Sequence, residues 1–202
     1  MSEIKVNKIS PATSTDITLG DSGDTFTVPS GATIVNSGTA TGFGGGGKLL
    51  QAVIGYKIDS ENVGGTADSW TDLSGLTVTT ATLASSSSRV LVMANVHMVG
   101  DDHIAFKIVT GDGSDITNFI GEADGSRTRA TSGTAYRASD DMNYCFNGTG
   151  IASPGVTTAQ TYKVQWRCAN TGVVYINSRN NSSTSVDDFN LMSSITAIEI
   201  GA

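Results

Sequence analysis

Apolar side chains in residues 17–44, ITLGDSGDTFTVPSGATIVNSGTATGFG, come in short pairs: Ile17 with Leu19, Phe26 with Val28, and Ile34 with Val35. Gly, Asp and Ser separate the pairs, which recur about every eight or nine residues, a spacing that predicts short strands joined by tight turns. So few apolar groups cannot build a core within one chain. Such a segment becomes stable when copies of the chain cover one another's strand edges and apolar faces. Residues 17–44 are therefore expected to form an oligomeric stalk, with Ile17, Leu19, Phe26, Val28 and Ile34 in the subunit contact. Before it, Ile4, Val6 and Ile9 alternate with Glu3, Lys5, Asn7 and Lys8 up to Pro11, which reads equally as an extended arm or as a frayed terminus. The uninterrupted glycines at 44–47 have the greatest backbone freedom in the chain and set a boundary between residues 1–47 and a head at 48–202.

From Lys48 onward the pattern predicts one strand after another and no helix. Residues 50–58 read as the first strand, and residues 76–83 as a Thr-rich strand with mixed faces. In residues 89–109, Val90, Val92, Ala94, Val96 and Met98 share one face. A three-residue turn at Gly100, Asp101 and Asp102 would set Ile104, Phe106 and Ile108 opposite them, whereas a two-residue turn would bring Ala105, Lys107 and Val109 there; hydrophobic register predicts a hairpin with the longer turn. A second hairpin is predicted at residues 161–177: Tyr162, Val164, Trp166 and Cys168 share a face, Asn170, Thr171 and Gly172 make the turn, and Val174 and Ile176 return opposite. Trp166 is expected in the core. The closing strand, residues 193–200, carries Ile195 and Ala197 on one side and Ile198 and Ile200 on the other. A strand apolar on both faces belongs in an interior or at a subunit interface, so Ile195, Ile198 and Ile200 join the expected contact residues. The fold class is all-β, a short extended stalk followed by an antiparallel β-sandwich.

Composition narrows the function. The net charge is -7 with only 15% charged residues, and the remaining polar surface is mostly Thr, Ser, Asn and Gly. An acidic chain without a basic cluster argues against nucleic acid, since phosphate binding needs concentrated Lys and Arg. No apolar run approaches the ~20 residues of a spanning helix, and the first residues lack the hydrophobic region of a signal peptide, so membrane insertion is not expected. Cys145 and Cys168 fall on separate predicted strands, without a CxxC partner or a nearby His. They read as small core residues, with a disulfide between them as the alternative.

The chemistry-bearing patterns are few. FGGGGKLL brings glycines up to Lys48, but no Ser or Thr follows the lysine and no helix is predicted there, so it is not a phosphate loop. The predicted hairpin would set His97 and His103 diagonally on an outer face near Asp101 and Asp102, a geometry that permits a metal without demanding one. Polar decoration of a solvent face is the preferred reading, and neither metal nor cofactor is expected. No GxSxG, Cys-His pair or hydrolase-type pair of acids is legible, and the chain is not expected to be an enzyme. Residues 126–143 lack sustained alternation and hold Arg127, Arg129, Tyr136, Arg137 and Asp140. With Trp70 as a second platform, these are candidates for carbohydrate contact, an aromatic ring stacking on a sugar face and charged groups holding hydroxyls; a solvated connection explains the same loop.

The opening MSEIKVNKISPATSTDITL, the phrase TVPSGATIVNSGTATGFG and the closing SSITAIEI resemble appendage proteins of tailed bacteriophages, particularly those of marine hosts. The residues between are similar in layout to jelly rolls of the tumour-necrosis-factor or complement-C1q type. The resemblance implies a homotrimer with a jelly-roll head, its last strand near the threefold axis, and an arm that docks on other virion proteins through Ile4, Val6 and Ile9. It implies a virion component assembled in the host cytoplasm, a short fibre or spike whose head binds a host-surface polysaccharide. The alternatives are a capsid or tail decoration protein without receptor binding, and a soluble C1q-like module.

Overall fold

The computed structural model describes residues 9–11, 17, 20–25, 27–33, 35, 48–64, 66–100, 102–134, 143–169, 173–178 and 189–201. Contacts divide the chain into two units, Met1–Phe43 and Gly44–Ala202. In the first unit the described residues form two tight turns: the Asp24 N–H donates to the Asp21 carbonyl at 3.0 Å and the Ala32 N–H to the Pro29 carbonyl at 3.1 Å. Gly31, after Pro29 and Ser30, takes a φ of +86°, where a glycine is favoured. All described residues of this unit except Pro11 are exposed, Ile9, Ile17 and Val28 among them, and none is in a strand. Ile4, Val6, Leu19, Phe26 and Ile34 lie outside the described residues.

The second unit is built of β-strands: β1 Leu49–Lys57, β2 Glu61–Gly64, β3 Thr71–Thr79, β4 Arg89–Gly100, β5 Ile104–Thr110, β6 Ser132–Gly133, β7 Tyr144–Ala152, β8 Thr161–Cys168, β9 Val173–Ile176 and β10 Ser193–Ile200. One 3-10 turn, Thr117–Phe119, is the sole helical element among the described residues. The strands form two antiparallel sheets. The first runs β1-β10-β4-β9-β2 with β7 on the other edge of β4, and the second runs β3-β8-β5-β6. Their inner faces make one core, in which Val90, Val92, Val96 and Met98 from β4 meet Ile104, Phe106 and Ile108 from β5 and Tyr162, Val164 and Trp166 from β8. Burial pushes the Tyr162 hydroxyl up to about 12.

Both expected hairpins are corrected. The side chains of β4, β5, β8 and β9 face as their alternation predicts, yet β4 pairs with β10, β7 and β9 while β5 pairs with β8 and β6. The chain crosses from one sheet to the other between β4 and β5, and again between β8 and β9, so these strands face each other across the core. Alternation specifies which side of a strand is buried and leaves open whether the covering strand is hydrogen-bonded beside it or packed above it. The Thr-rich strand also lies earlier than residues 76–83. A register shift between Asp72 and Thr77, with Gly75 at φ +83°, puts both Leu73 and Leu76 inside and breaks the two-residue period.

Strand β7 carries glycines at core-facing positions. A Cβ at Gly150 would overlap the Phe119 ring, and one at Gly148 would overlap Thr131 and crowd Phe106. The missing side chains leave room for the segment after β5, which folds over this side of the core. Its Thr131 hydroxyl donates to the Phe119 carbonyl at 2.6 Å and accepts from the Ile108 N–H at 3.0 Å. Gly150→Ala is expected to cost about 1–3 kcal/mol by overpacking, read as a lower urea midpoint with an unchanged slope.

Where β4 passes from β10 to β9 as its neighbour, a buried polar node replaces the ladder. The His97 N–H donates to the Ser193 hydroxyl at 2.9 Å, and the His97 carbonyl accepts from the Asn177 N–H at 3.1 Å. Asn177 is fully buried with φ +62°. Its amide donates to the Lys57 carbonyl at 2.7 Å and the Asp59 carbonyl at 3.1 Å, and its side-chain oxygen accepts from Ser193 at 2.6 Å. The neighbouring Lys57 ammonium is buried but pairs with Asp59 at 2.8 Å and Glu61 at 2.7 Å. Burial pulls its pKa down, the two carboxylates outweigh that, and the net direction is upward. Asn177→Ala strands two carbonyls and is expected to destabilise by about 3 kcal/mol or more. Asn177→Gly keeps the left-handed backbone easy and isolates the side chain; wild-type stability in that variant would show that the node contributes nothing.

At the other end of β10, Glu199 faces inward and is 1% exposed. Its carboxylate accepts from the Gln51 amide at 2.6 Å and the Ala84 N–H at 2.7 Å. Burial pushes the carboxyl up, and these donors outweigh it, holding the group below its ordinary value of 4.5. In acid the unfolded group binds more protons than the folded one. Glu199 therefore adds stability above pH 4.5 that is lost as pH falls through the depressed folded value. Glu199→Gln is expected to flatten this acid limb in thermal melts between pH 6 and pH 3, roughly the range in which a carboxyl titrates.

Candidate functional site

The two outward faces of the sandwich differ in chemistry. On the first sheet, cross-strand partners line up as Ile151, Leu91, Ile198 and Ala52 in one row and Thr149, Met93, Thr196 and Ile54 in the next. Leu91, Met93, Ile198 and Ile200 are half-buried by their neighbours, while Ile54 and Tyr56, on β1 at the edge, are about half exposed. The following row, Asn147, Asn95, Ser194 and Tyr56, is mainly polar. Of the expected contact residues in β10, Ile198 and Ile200 face outward here, and Ile195 does not. It is fully buried in the core of its own chain because it shares parity with Ala197.

The second sheet presents paired charges outward. Lys163, Gln165 and Arg167 of β8 alternate with core residues, and Lys107 of β5 stands beside Gln165. Each cation has a carboxylate: Lys107 with Asp115 at 2.6 Å, Lys163 with Asp72 at 2.7 Å, and Arg167 with Asp68. The Lys163 bond lowers the Asp72 carboxyl pKa against a smaller opposing push from burial, with help from Gln165, whose amide donates to Asp72 at 2.8 Å. The half-buried ring of Trp70, just before β3, lies under two of these cations, with the Lys107 ammonium 4.8 Å and the Arg167 guanidinium carbon 6.0 Å from its centroid. These distances are those of cation–π contacts. The ring is thus engaged with its own chain.

Beside Arg167 is a hollow of about 380 Å³, lined by Ala105, Ala130, Gly133 and Ala169 together with His103, Thr128, Thr134 and Arg167. Thr128 sits between Arg127 and Arg129 in the chain and accepts a hydrogen bond from Arg167, which ties this loop to the Trp70 cluster. The flanking arginines turn to other partners. Arg127 is exposed and pairs with Asp124 at 2.8 Å, and Arg129 donates to the Gly121 carbonyl at 2.6 Å. Tyr136, Arg137 and Asp140 lie outside the described residues. Of the described residues expected to contact carbohydrate, Trp70 is the one whose ring adjoins this cluster; the sequence carries no such expectation for Arg167, Lys107 or Thr128, and marks His103 only as a possible metal ligand. The signal that would have found Arg167 is the outward parity of Lys163, Gln165 and Arg167 on a strand whose other face is wholly apolar.

The histidines are separated. His97 lies on the outer face of the first sheet opposite Cys145, and His103 lies on the second sheet, its Nδ1 2.7 Å from Asp102. Burial lowers the His97 pKa. Among the described residues no group of three or more His, Cys, Asp or Glu is placed to hold a metal ion. Both cysteines are free; Cys168 is buried as expected, and Cys145, on the outward parity of β7, is exposed. Among the described residues no helix is long and apolar enough to cross a membrane. No protein-family model matches the chain, and no match was found among curated proteins.

If Trp70 positions Lys107, a double-mutant cycle between Trp70→Ala and Lys107→Met should give a coupling of about 0.5–1 kcal/mol in chemical denaturation. Additive effects would show that the contact is energetically empty.

Proposed function

We propose that the protein is a structural component of a tailed-phage virion, a short homotrimeric fibre or spike. Its N-terminal residues dock on other virion proteins, and its head binds a host-surface glycan. The reading assigns it no reaction and no cofactor, and places it in the particle after assembly in the host cytoplasm.

The observation that carries the proposal is the unlikeness of the two outward faces. A solvated monomer has no need of an apolar row across four strands of one sheet with Met93 and Ile54 in the row beside it, and exposed apolar patches of this kind mark association sites. Copies of the chain packed through β1, β10, β4 and β7 would cover those rows and leave the second sheet, with its hollow and paired charges, facing outward. The strand order supports the jelly-roll reading. With the short β2–β9 pair set aside, β7-β4-β10-β1 opposes β6-β5-β8-β3, the arrangement that two interleaved Greek keys produce. The resemblance of residues 1–45 and of the closing strand to phage appendage proteins supports the placement in a virion.

Light scattering after size-exclusion chromatography should give three times the monomer mass for the full chain. Ile54→Glu and Ile198→Glu should reduce it to one while leaving the circular dichroism of the head intact. A monomeric wild-type chain would sink the fibre reading; trimers that survive both substitutions would move the contact elsewhere. A glycan array probed with the trimer tests the adhesive role, and attachment to particles without any glycan binding would leave a decoration protein.

A further inference from the structure

We propose that Cys145 and His97 form a two-donor site for a soft divalent cation of the zinc type on the outer face of the first sheet. The two residues are direct partners across the β4–β7 pair. Their hydrogen-bonding phase is set from the other side of β4. The His97 N–H donates to Ser193 and its carbonyl accepts from Asn177, so both backbone groups point away from β7. In an antiparallel pair that makes His97 and Cys145 a non-hydrogen-bonded pair, whose side chains stand closest, with Cβ atoms toward the lower end of about 4.5–5.5 Å. Both side chains leave the sheet on its outer face, where the thiol is exposed and the histidine half-buried.

A tetrahedral zinc ion holds sulfur at about 2.3 Å and an imidazole nitrogen at about 2.0–2.1 Å, which sets the two donors about 3.6 Å apart. Side chains rising from neighbouring Cβ atoms reach that spacing by rotation about their own χ angles, with no shift of the backbone. Among the described residues no group hydrogen-bonds the His97 ring. The thiol has two long contacts there: Sγ donates to the Asn95 side-chain oxygen at 3.4 Å and accepts from the Asn147 amide at 3.5 Å. On binding, the thiol proton passes to solvent, the sulfur lone pair it leaves forms the bond to the cation, and a ring nitrogen without a proton supplies the second pair. The Asn147 amide then donates to a thiolate, a stronger acceptor than a thiol. Rotation of the Asn95 amide turns a donor toward the same sulfur. Thiolate with imidazole favours zinc and its softer neighbours over Mg²⁺ and Ca²⁺, which take oxygen donors, and water fills the remaining positions of the cation. The site is independent of the apolar rows, because Cys145 is four residues along β7 from Thr149, about 13 Å at the rise of a strand.

The test uses the untagged, reduced full-length chain, with Co²⁺ as a spectroscopic substitute for zinc. Titration should produce a thiolate-to-cobalt charge-transfer band that saturates at one cation per chain, is bleached by an equivalent of Zn²⁺ and is indifferent to excess Mg²⁺. Cys145→Ser should abolish the band. His97→Gln should weaken binding by at least about tenfold, since removing a group that merely supports a ligand already costs that much. His103→Gln, on the other sheet, should leave it unchanged. The buried node uses the backbone of His97 and not its ring, so these variants should keep the wild-type circular dichroism. As a measurement that needs no variant, an equivalent of Zn²⁺ should slow alkylation of Cys145 severalfold. A band that persists in Cys145→Ser would overturn the proposal by placing the cation at another thiol. Undiminished binding in His97→Gln would overturn it by reducing the site to a single cysteine. No band in the wild-type chain, or an alkylation rate that Zn²⁺ leaves unchanged, would overturn it outright.

Discussion

Strand β4 is 12 residues long and has more neighbours than edges. Along one edge it pairs with β7; along the other it pairs with β10 as far as Asn95 and with β9 from Met98. Between those two partners, the backbone groups of His97 would be left in the protein interior without a ladder, at a cost comparable to that of a lost hydrogen bond for each. Ser193 and Asn177 supply what is missing, and Asn177 binds the end of β1 at the same time. The register of four strands is therefore set at one fully buried residue. A residue without a side-chain amide cannot meet the donor and acceptor demands together, and most β-formers disfavour the left-handed backbone it adopts.

Because this node holds β1, β10 and β4 in place, the outer rows of the first sheet are determined too. Fixing Ile195 and Ala197 inward sends Ile198 outward beside Leu91 and Ala52, and Ile200 outward beside Arg89 and Leu49. The second sheet obeys the same parity rule with different residues. Trp166 and Tyr162 inward place Arg167, Gln165 and Lys163 outward, where partners at close range compensate each charge. In these pairs the cation is largely covered and the carboxylate open to solvent. What they provide is a surface of closely spaced donors and acceptors with little net charge, gathered around Trp70.

Much of this architecture is legible in the sequence, and the illegible parts have definite causes. Local alternation specifies the buried face of β4, β5, β8 and β9, because burial acts on each strand separately; β10, apolar on both faces, leaves its buried face open. Strand pairing is a long-range property, and a three- or four-residue connection serves a crossing between sheets as well as a hairpin. Strand β7 is obscured because Gly148 and Gly150 occupy positions where an apolar residue would announce the core; the filling groups, Phe119 and Thr131, come from a segment some distance away in the chain. Trp70 invites the role of a stacking platform, since nothing in its neighbourhood, SWTD, announces that Lys107 and Arg167 approach its ring from two other strands. The glycine-interrupted turns of Met1–Phe43 are readable locally because a turn is specified by adjacent residues.

Strand β10 shows how strongly the outward rows are specified. A monomeric sandwich would be better served by isoleucine at 199, inside, and by a charged residue at 198 or 200, outside. The chain has the reverse arrangement, with Glu199 buried and Ile198 and Ile200 on the outer face. Burying that carboxylate requires dedicated donors from Gln51 and from the Ala84 N–H, so the arrangement depends on two segments distant in sequence. Core packing alone does not call for it. Under the proposed packing of copies through this sheet the outer rows would be covered, the isoleucines would be buried as well, and the polar network at Glu199 would close that end of the sandwich.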